Sequence, residues 1–201
     1  MKGLSIGLTG GIACGKTSIL RLFEKRGWLV LSTDQIVHRE FSFNRELNQS
    51  LKSYFGDKIF KSDLSVDRDA LSKIVFEDDD ALVFVERKLH PKIRKIWQSF
   101  LKKNVKTLCM VEIPLLFEKN LEKFFDFTVT VSCSISTQRS RLNQIKKPIK
   151  MVTQRMNKQA SLFDKRIYAD YVISNQGSYA FLMQQVEVLH RFWVSSFSKY
   201  E

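Results

Sequence analysis

The chain has 201 residues, of which 33 are Lys or Arg and 21 are Asp or Glu, leaving a formal charge of +12. Hydrophobic residues at 44% and charged residues at 27% exclude disorder throughout, and eight Gly with three Pro exclude collagen-like or low-complexity character. The length suits one α/β domain with room for an insertion, and the basic balance admits nucleic acid, an anionic membrane surface or small phosphorylated substrates as partners.

Residues 4–9 form a short apolar run ending in Gly10-Gly11, which predicts a buried strand feeding a tight loop. From Lys16 the pattern turns helical, with Ile19, Leu20 and Phe23 on one face, and Gly27 closes the helix. A second strand is predicted over 28–31, closing at Ser32-Thr33-Asp34. Strand, glycine loop, helix and strand within one short stretch make a βαβ unit, and that implies a parallel sheet. Residues 35–106 read as a helical insertion, acidic over 63–80 and basic over 86–106. Strand signals resume at 108–111, 127–131 and 171–173, and a final helix from about Tyr179 aligns Leu182, Val186, Leu189 and Trp193 on one stripe. No internal repeat is present.

Cys14, Cys109 and Cys133 are an odd number without a C-x-x-C pair. Such usage argues against a disulfide framework and a structural zinc site, and it fits a reducing cytosol. No apolar run approaches the roughly 18 residues that span a bilayer, so a soluble, cytoplasmic protein is expected.

Gly10-Gly11-Ile12-Ala13-Cys14-Gly15-Lys16-Thr17 matches G-x-x-x-x-G-K-[ST] at every fixed position. Such a loop turns successive N–H groups inward as an anion nest at a helix N-terminus. Lys16 reaches the β- and γ-phosphates as a point charge, and the Thr17 hydroxyl can ligate Mg²⁺. The match follows a strand and opens a helix, so the segment Gly10 through Ser18 is read as a nucleoside triphosphate site. A guanine-binding N-K-x-D is missing, because Asn157-Lys158 continues as Gln159-Ala160. The strand over 108–111 ends in Glu112 where a strand-end Asp would mark an ATPase. These features leave a small-molecule kinase.

Asp34 falls at the carboxyl edge of the sheet, where α/β folds bind ligands. Two readings stand side by side there: a carboxylate that takes or orients the acceptor hydroxyl proton, and an N-cap for the next helix. Glu112 offers a second acid beside the loop, for Mg²⁺ through water or for the acceptor, and residues 114–117 offer an apolar wall. The segment 136–166 carries Arg139, Arg141, Lys146, Lys147, Lys150, Arg155, Lys158, Lys165 and Arg166 against Asp164 alone. It reads either as a solvated or RNA-binding face, or as a lid whose arginines neutralise the transferring phosphoryl group. Phe163 is its single aromatic, which weakens base stacking.

Together these blocks resemble the dephospho-CoA kinase family from about Leu4 to Gly177. The likeness rests on the loop, Asp34, Phe55-Gly56, Asp67-Arg68-Asp69-Ala70-Leu71, Val75-Phe76 and His90-Pro91. It continues through Glu112-Ile113-Pro114-Leu115-Leu116-Phe117-Glu118, Gln138, Arg141, Arg155, Gln159, Lys165, Ala169-Asp170 and Asn175. The resemblance implies ATP- and Mg²⁺-dependent phosphorylation of the ribose 3′-hydroxyl of dephospho-CoA. It implies an α/β P-loop fold with a five-stranded parallel sheet: core over 1–34, 107–135 and 166–201, helical acceptor domain over 35–106, lid over 136–165. It favours Asp34 as base or hydroxyl-orienting residue and puts Lys16 and Arg141 in catalysis. Arg141 and Asn175 join the nucleotide site; Asp34, Arg68, His90, Glu112, Pro114, Leu115, Leu116, Phe117 and Glu118 become acceptor-site candidates.

The chain departs from the family pattern in three places. Ala13 and Cys14 replace glycine and serine in the loop, Glu112 replaces an Asp, and Ile145 stands four residues after Arg141 where a second Arg is usual, followed by Lys146 and Lys147. Lysine does not reproduce the planar, bidentate contact of arginine. The rival readings are a nucleoside or nucleotide kinase, and an ATP-switched nucleic-acid-binding protein, for which no recognised module is present. The expected partners are small molecules, without nucleic acid or membrane, for a monomer or weak homo-oligomer.

Overall fold

Runs such as Leu29-Val30-Leu31 and Leu108-Cys109-Met110-Val111 lack polar alternation, as suits parallel strands covered on both faces. A computed structural model of the chain describes residues 3–144 and 159–198, and it forms these strands. They are β1 (Leu4–Gly10), β2 (Leu29–Ser32), β3 (Leu108–Glu112), β4 (Phe127–Ser132) and β5 (Tyr171–Ser174). Their order is β2-β3-β1-β4-β5 and every neighbouring pair is parallel. The chain moves from β1 outward to β2, returns to β3, and crosses to β4 on the far side of β1. The order therefore reverses around β1, and in open α/β sheets ligands bind at the carboxyl ends of strands beside such a reversal.

Contacts divide the chain into two units, one formed by Met1–Ser32 with Phe100–Glu201 and the other by Thr33–Ser99. The first holds the sheet, with α1 (Lys16–Glu24), α6 (Ile135–Gln144), α7 (Leu162–Tyr168) and α8 (Tyr179–Ser198). Its core gathers Ile6, Leu8, Met110, Val129, Val131 and Ile173 from the strands with Ile19, Phe23, Leu182, Val186 and Trp193 from the helices. The α8 stripe is thus buried as its periodicity requires, with Leu189 packed at the edge. β2 begins at Leu29, one residue later than the apolar run, because Trp28 turns into the core. Its Nε1–H donates to His190 Nδ1 at 3.1 Å, and its ring lies 5.5 Å from that of Trp193.

The second unit is helical: α2 (Thr33–Phe43), α3 (Arg45–Phe55), α4 (Arg68–Glu77) and most of α5 (Asp79–Lys103). Asn44 caps α3 by accepting from Leu47 N, and Asp67 caps α4 by accepting from Asp69 N and Ala70 N. Leu47, Leu51, Phe55, Ile59, Leu71 and Val85 form its separate core.

Trp193 touches Phe23, Trp28 and Tyr171 and is 1% exposed. Trp193→Ala is expected to cost about 3–5 kcal/mol, the range for deleting a buried aromatic, read from urea unfolding. A loss under about 1 kcal/mol would show that α8 is not part of this core.

Candidate functional site

The loop begins where β1 stops. Gly10 is the β partner of Val131, and α1 starts six residues later at Lys16. Between them, the Cys14 N–H donates to Gly11 O at 3.2 Å and closes a four-residue turn. Ala13, its third residue, has φ 57°. A positive angle there is the mark of a type II turn, in which glycine is usual. Ala13 therefore adopts the left-handed conformation at a cost of roughly 1–2 kcal/mol, so the first departure from the family pattern leaves the loop shape intact. Gly15, with φ 96°, needs its missing Cβ for a second reason: Asn175 Nδ2 occupies that space.

Each loop carbonyl from Gly10 to Cys14 accepts a hydrogen bond from elsewhere in the chain. Lys16 Nζ donates to Gly10 O and Gly11 O, both at 3.1 Å. Gln138 Nε2 donates to Ile12 O at 2.8 Å, Arg141 Nη1 to Ala13 O at 3.2 Å, and Asn175 Nδ2 to Cys14 O at 2.8 Å. Arg141 Nη2 also donates to Asn175 O at 2.9 Å. These donors are placed by the sheet. α6 leaves the end of β4, its first turn held by Thr137 N–H donating to Ser134 Oγ, and an i,i+3 spacing presents Gln138 and Arg141 on one face. Asn175 extends β5 by one step, its N–H donating to Ser132 O at 2.8 Å.

Arg141, expected on the transferring phosphoryl group, has a guanidinium that donates to backbone carbonyls of the loop and of Asn175. Lys146, Lys147, Lys150, Arg155, Lys158 and Ile145, the rest of the proposed lid's distinctive positions, lie outside the described residues. Of the remaining cations of 136–166, Arg139 and Arg166 are exposed and Lys165 is fully buried.

Lys165 is a residue that the sequence placed in the family pattern without assigning it a role. Its ammonium lies 2.9 Å from Glu118 Oε1 and donates to Pro114 O at 2.6 Å and to Thr9 Oγ1 at 3.4 Å. Ala160 N–H donates to the same Glu118 oxygen at 2.7 Å. Burial pushes the Lys165 ammonium below its ordinary value, and Glu118 opposes that shift. Of the residues expected at the acceptor, Glu118 is bound by Lys165 and Ala160, and Leu116 is fully buried. Pro114, Leu115 and Phe117 stay partly exposed, the Phe117 ring 5.9 Å from that of Tyr168.

Glu112 is 3% exposed, in register with Leu8 and Ser32 at the carboxyl end of β3. Thr17 and Ser18 are exposed on the first turn of α1. Among the described residues no three of His, Cys, Asp and Glu cluster as a metal cage. The donor set suits Mg²⁺, which commonly takes one or two protein ligands and completes its shell with phosphates and water. In the other unit, Asp34 is exposed and lies inside the first turn of α2, which already begins at Thr33. The N-cap reading is thereby displaced. Arg68 is exposed at the start of α4, and His90 sits on α5 just before Pro91, its Nδ1 3.9 Å from Glu86 Oε2.

Over residues 4–180 the chain matches the family described as Dephospho-CoA kinase. It is 33% identical over 198 residues to a dephospho-CoA kinase of Protochlamydia amoebophila, covering 95% of this chain and 97% of that one. It is 37% identical over 174 residues to a dephospho-CoA kinase of Parasynechococcus marenigrum, covering 86% and 87%. The solved structure of dephospho-CoA kinase from Campylobacter jejuni superposes with a TM-score of 0.70 at 25% identity, covering 96% of this chain and 98% of that one.

Cys14 sits beneath the loop with its side chain wholly buried, and the Cys133 thiol donates to it at 3.4 Å. Burial first, and the Cys133 hydrogen bond second, push its thiol up to about 12. An unfolded cysteine loses its proton near pH 8.5. Between these values the folded state holds the extra proton, so this residue's contribution makes stability fall as pH rises, by up to about 1.4 kcal/mol per unit. Cys14→Ala is expected to flatten the decline in urea midpoint between about pH 9 and 10, leaving the share of Cys109, which burial pushes up to about 11. An unchanged slope would show that Cys14 titrates normally.

Proposed function

This chain belongs to the dephospho-CoA kinase family, and from that premise we propose how its residues divide the reaction. The chemistry is transfer of the γ-phosphoryl group of ATP to the ribose 3′-hydroxyl of dephospho-CoA, giving coenzyme A and ADP. The observation that carries the site assignment is the loop itself: its carbonyls from Gly10 to Cys14 are all occupied, and apart from the Cys14 N–H that closes the turn its N–H groups are offered to an anion. Gly10 through Ser18 binds the polyphosphate of ATP. Lys16, already folded over Gly10 and Gly11, places a cation beside the β- and γ-phosphates, where negative charge shifts during transfer. Arg141 and Asn175 serve the nucleotide by holding the loop. Mg²⁺, held by the Thr17 hydroxyl and the phosphates, would neutralise charge on the transferring group.

Asp34 accepts the proton of the acceptor hydroxyl or orients that hydroxyl. Its exposed carboxylate in the first turn of α2 is open to a ligand, and negative charge is stabilised at that end of a helix. Residues 35–106 are the acceptor-binding domain, with Arg68 and His90 as candidate contacts, and Glu112, Pro114, Leu115, Leu116, Phe117 and Glu118 are further candidate contacts on the core unit. Residues 136–165 are the lid. No helix of the described residues is long and apolar enough to cross a membrane. We take the protein to act on small molecules in the cytoplasm, as a monomer or weak homo-oligomer.

ATP consumption should rise with dephospho-CoA and not with nucleoside monophosphates, with coenzyme A identified by mass; the opposite preference would favour a nucleotide kinase. Asp34→Asn is expected to leave the ATP dissociation constant nearly unchanged and to cut turnover by at least about 10²-fold, the lower range for acid–base catalysis. Near-normal turnover in that variant would remove Asp34 from the mechanism.

A further inference from the structure

A type II turn differs from a type I turn by a flip of its central peptide, and the flip is what demands a positive φ at the third residue. In the turn Gly11–Cys14 that peptide joins Ile12 to Ala13. With glycine at the third position the flipped form carries no penalty, but with Ala13 at φ 57° the backbone alone favours the unflipped turn. Something outside the turn has to hold it.

The Ile12 carbonyl, which is the oxygen of that peptide, accepts from Gln138 Nε2 at 2.8 Å. Gln138 is 3% exposed, and its amide nitrogen stands close enough to Gly11 that a Cβ there would approach it to 2.7 Å. Its own backbone is fixed in the first turn of α6, Gln138 N–H donating to Ser134 O at 3.0 Å. The amide is thus a buried donor aimed at the Ile12 carbonyl. Because a trans peptide places its N–H opposite its C=O, fixing the Ile12 oxygen toward α6 directs the Ala13 N–H away from it, to the anion-binding face. An unflipped peptide would turn the oxygen to that face instead, where a phosphate would meet a lone pair.

We propose that Gln138 is a positioning residue for phosphate binding, which holds the Ile12–Ala13 peptide in its flipped orientation and offsets the presence of alanine where glycine would be unstrained. The inference rests on the reading of Gly10 through Ser18 as the polyphosphate site. It acts through the backbone, so Gln138 needs no contact with adenine or with the acceptor.

The test measures binding of inorganic tripolyphosphate and of ADP by calorimetry, with KM for dephospho-CoA and the melting temperature of the ligand-free protein alongside. Gln138→Met, which keeps length and removes the donor, is expected to weaken both ligands about tenfold, as for loss of one hydrogen bond of typical strength, with the acceptor KM unchanged. Ala13→Gly alone is expected to change binding little. In the Gln138→Met background, Ala13→Gly is expected to recover binding to within about threefold of the parent, because glycine takes the positive φ unaided. Weakening of ADP without weakening of tripolyphosphate, a lowered melting temperature with both affinities intact, or a loss that Ala13→Gly does not rescue would each overturn the proposal. Lys16→Met separates the two readings: if it leaves tripolyphosphate affinity unchanged, the loop is not the phosphate site, whatever Gln138 does.

Discussion

A backbone that offers its N–H groups to an anion has to dispose of its carbonyls, and the rest of this site is organised around that demand. A loop of six residues cannot satisfy five carbonyl oxygens from within: the Cys14 N–H reaches Gly11 O to close the turn, and the other N–H groups are left for the ligand. The donors are therefore side chains, brought from three directions: Lys16 from the helix that follows, Gln138 and Arg141 from α6, and Asn175 from the end of β5. Each stands on or directly after an element whose place is set by the parallel ladder. Register in the sheet thus becomes loop geometry, because Gly10 pairs with Val131 and Asn175 continues the β4–β5 ladder.

The Lys165–Glu118 pair is a second constraint of the same kind. A buried ammonium costs more in desolvation than a single ion pair readily returns, so it is tolerated where further acceptors complete its shell. Here Pro114 O and Thr9 Oγ1 do so. The pair joins the end of β1, the segment after β3 and the segment that begins α7. Removing one partner leaves the other charged and buried, so these segments are bound to one another by the cost of separating them. Glu118, which follows the apolar run Leu115-Leu116-Phe117, thus has a defined partner in the fold.

The charge surplus also changes meaning once side chains are placed. A count over 136–166 treats all its cations alike, yet Arg141 is spent on backbone oxygens and Lys165 on the partly buried Glu118 carboxylate. Neither contributes to a solvated basic face. The positive balance therefore overstates the charge that this segment presents to a partner.

The strand runs, the glycine loop and the α8 stripe were legible from sequence because each depends on neighbours a few residues away: alternation, turn chemistry and helical periodicity are local. The sequence by itself determined the phosphate-binding loop, the parallel α/β class and the family. It also named Gln138, Arg141, Lys165 and Asn175 as part of a pattern, but not what any of them does. Only the tertiary structure decided that Gln138, 126 residues from Ile12, supplies a donor to its carbonyl, that Leu116 is core, and that Glu118 belongs to Lys165. The physical reason is the same in each case: a hydrogen bond or ion pair between distant segments is fixed by strand order and register, and no local pattern of residue types encodes which carbonyl a given amide will meet.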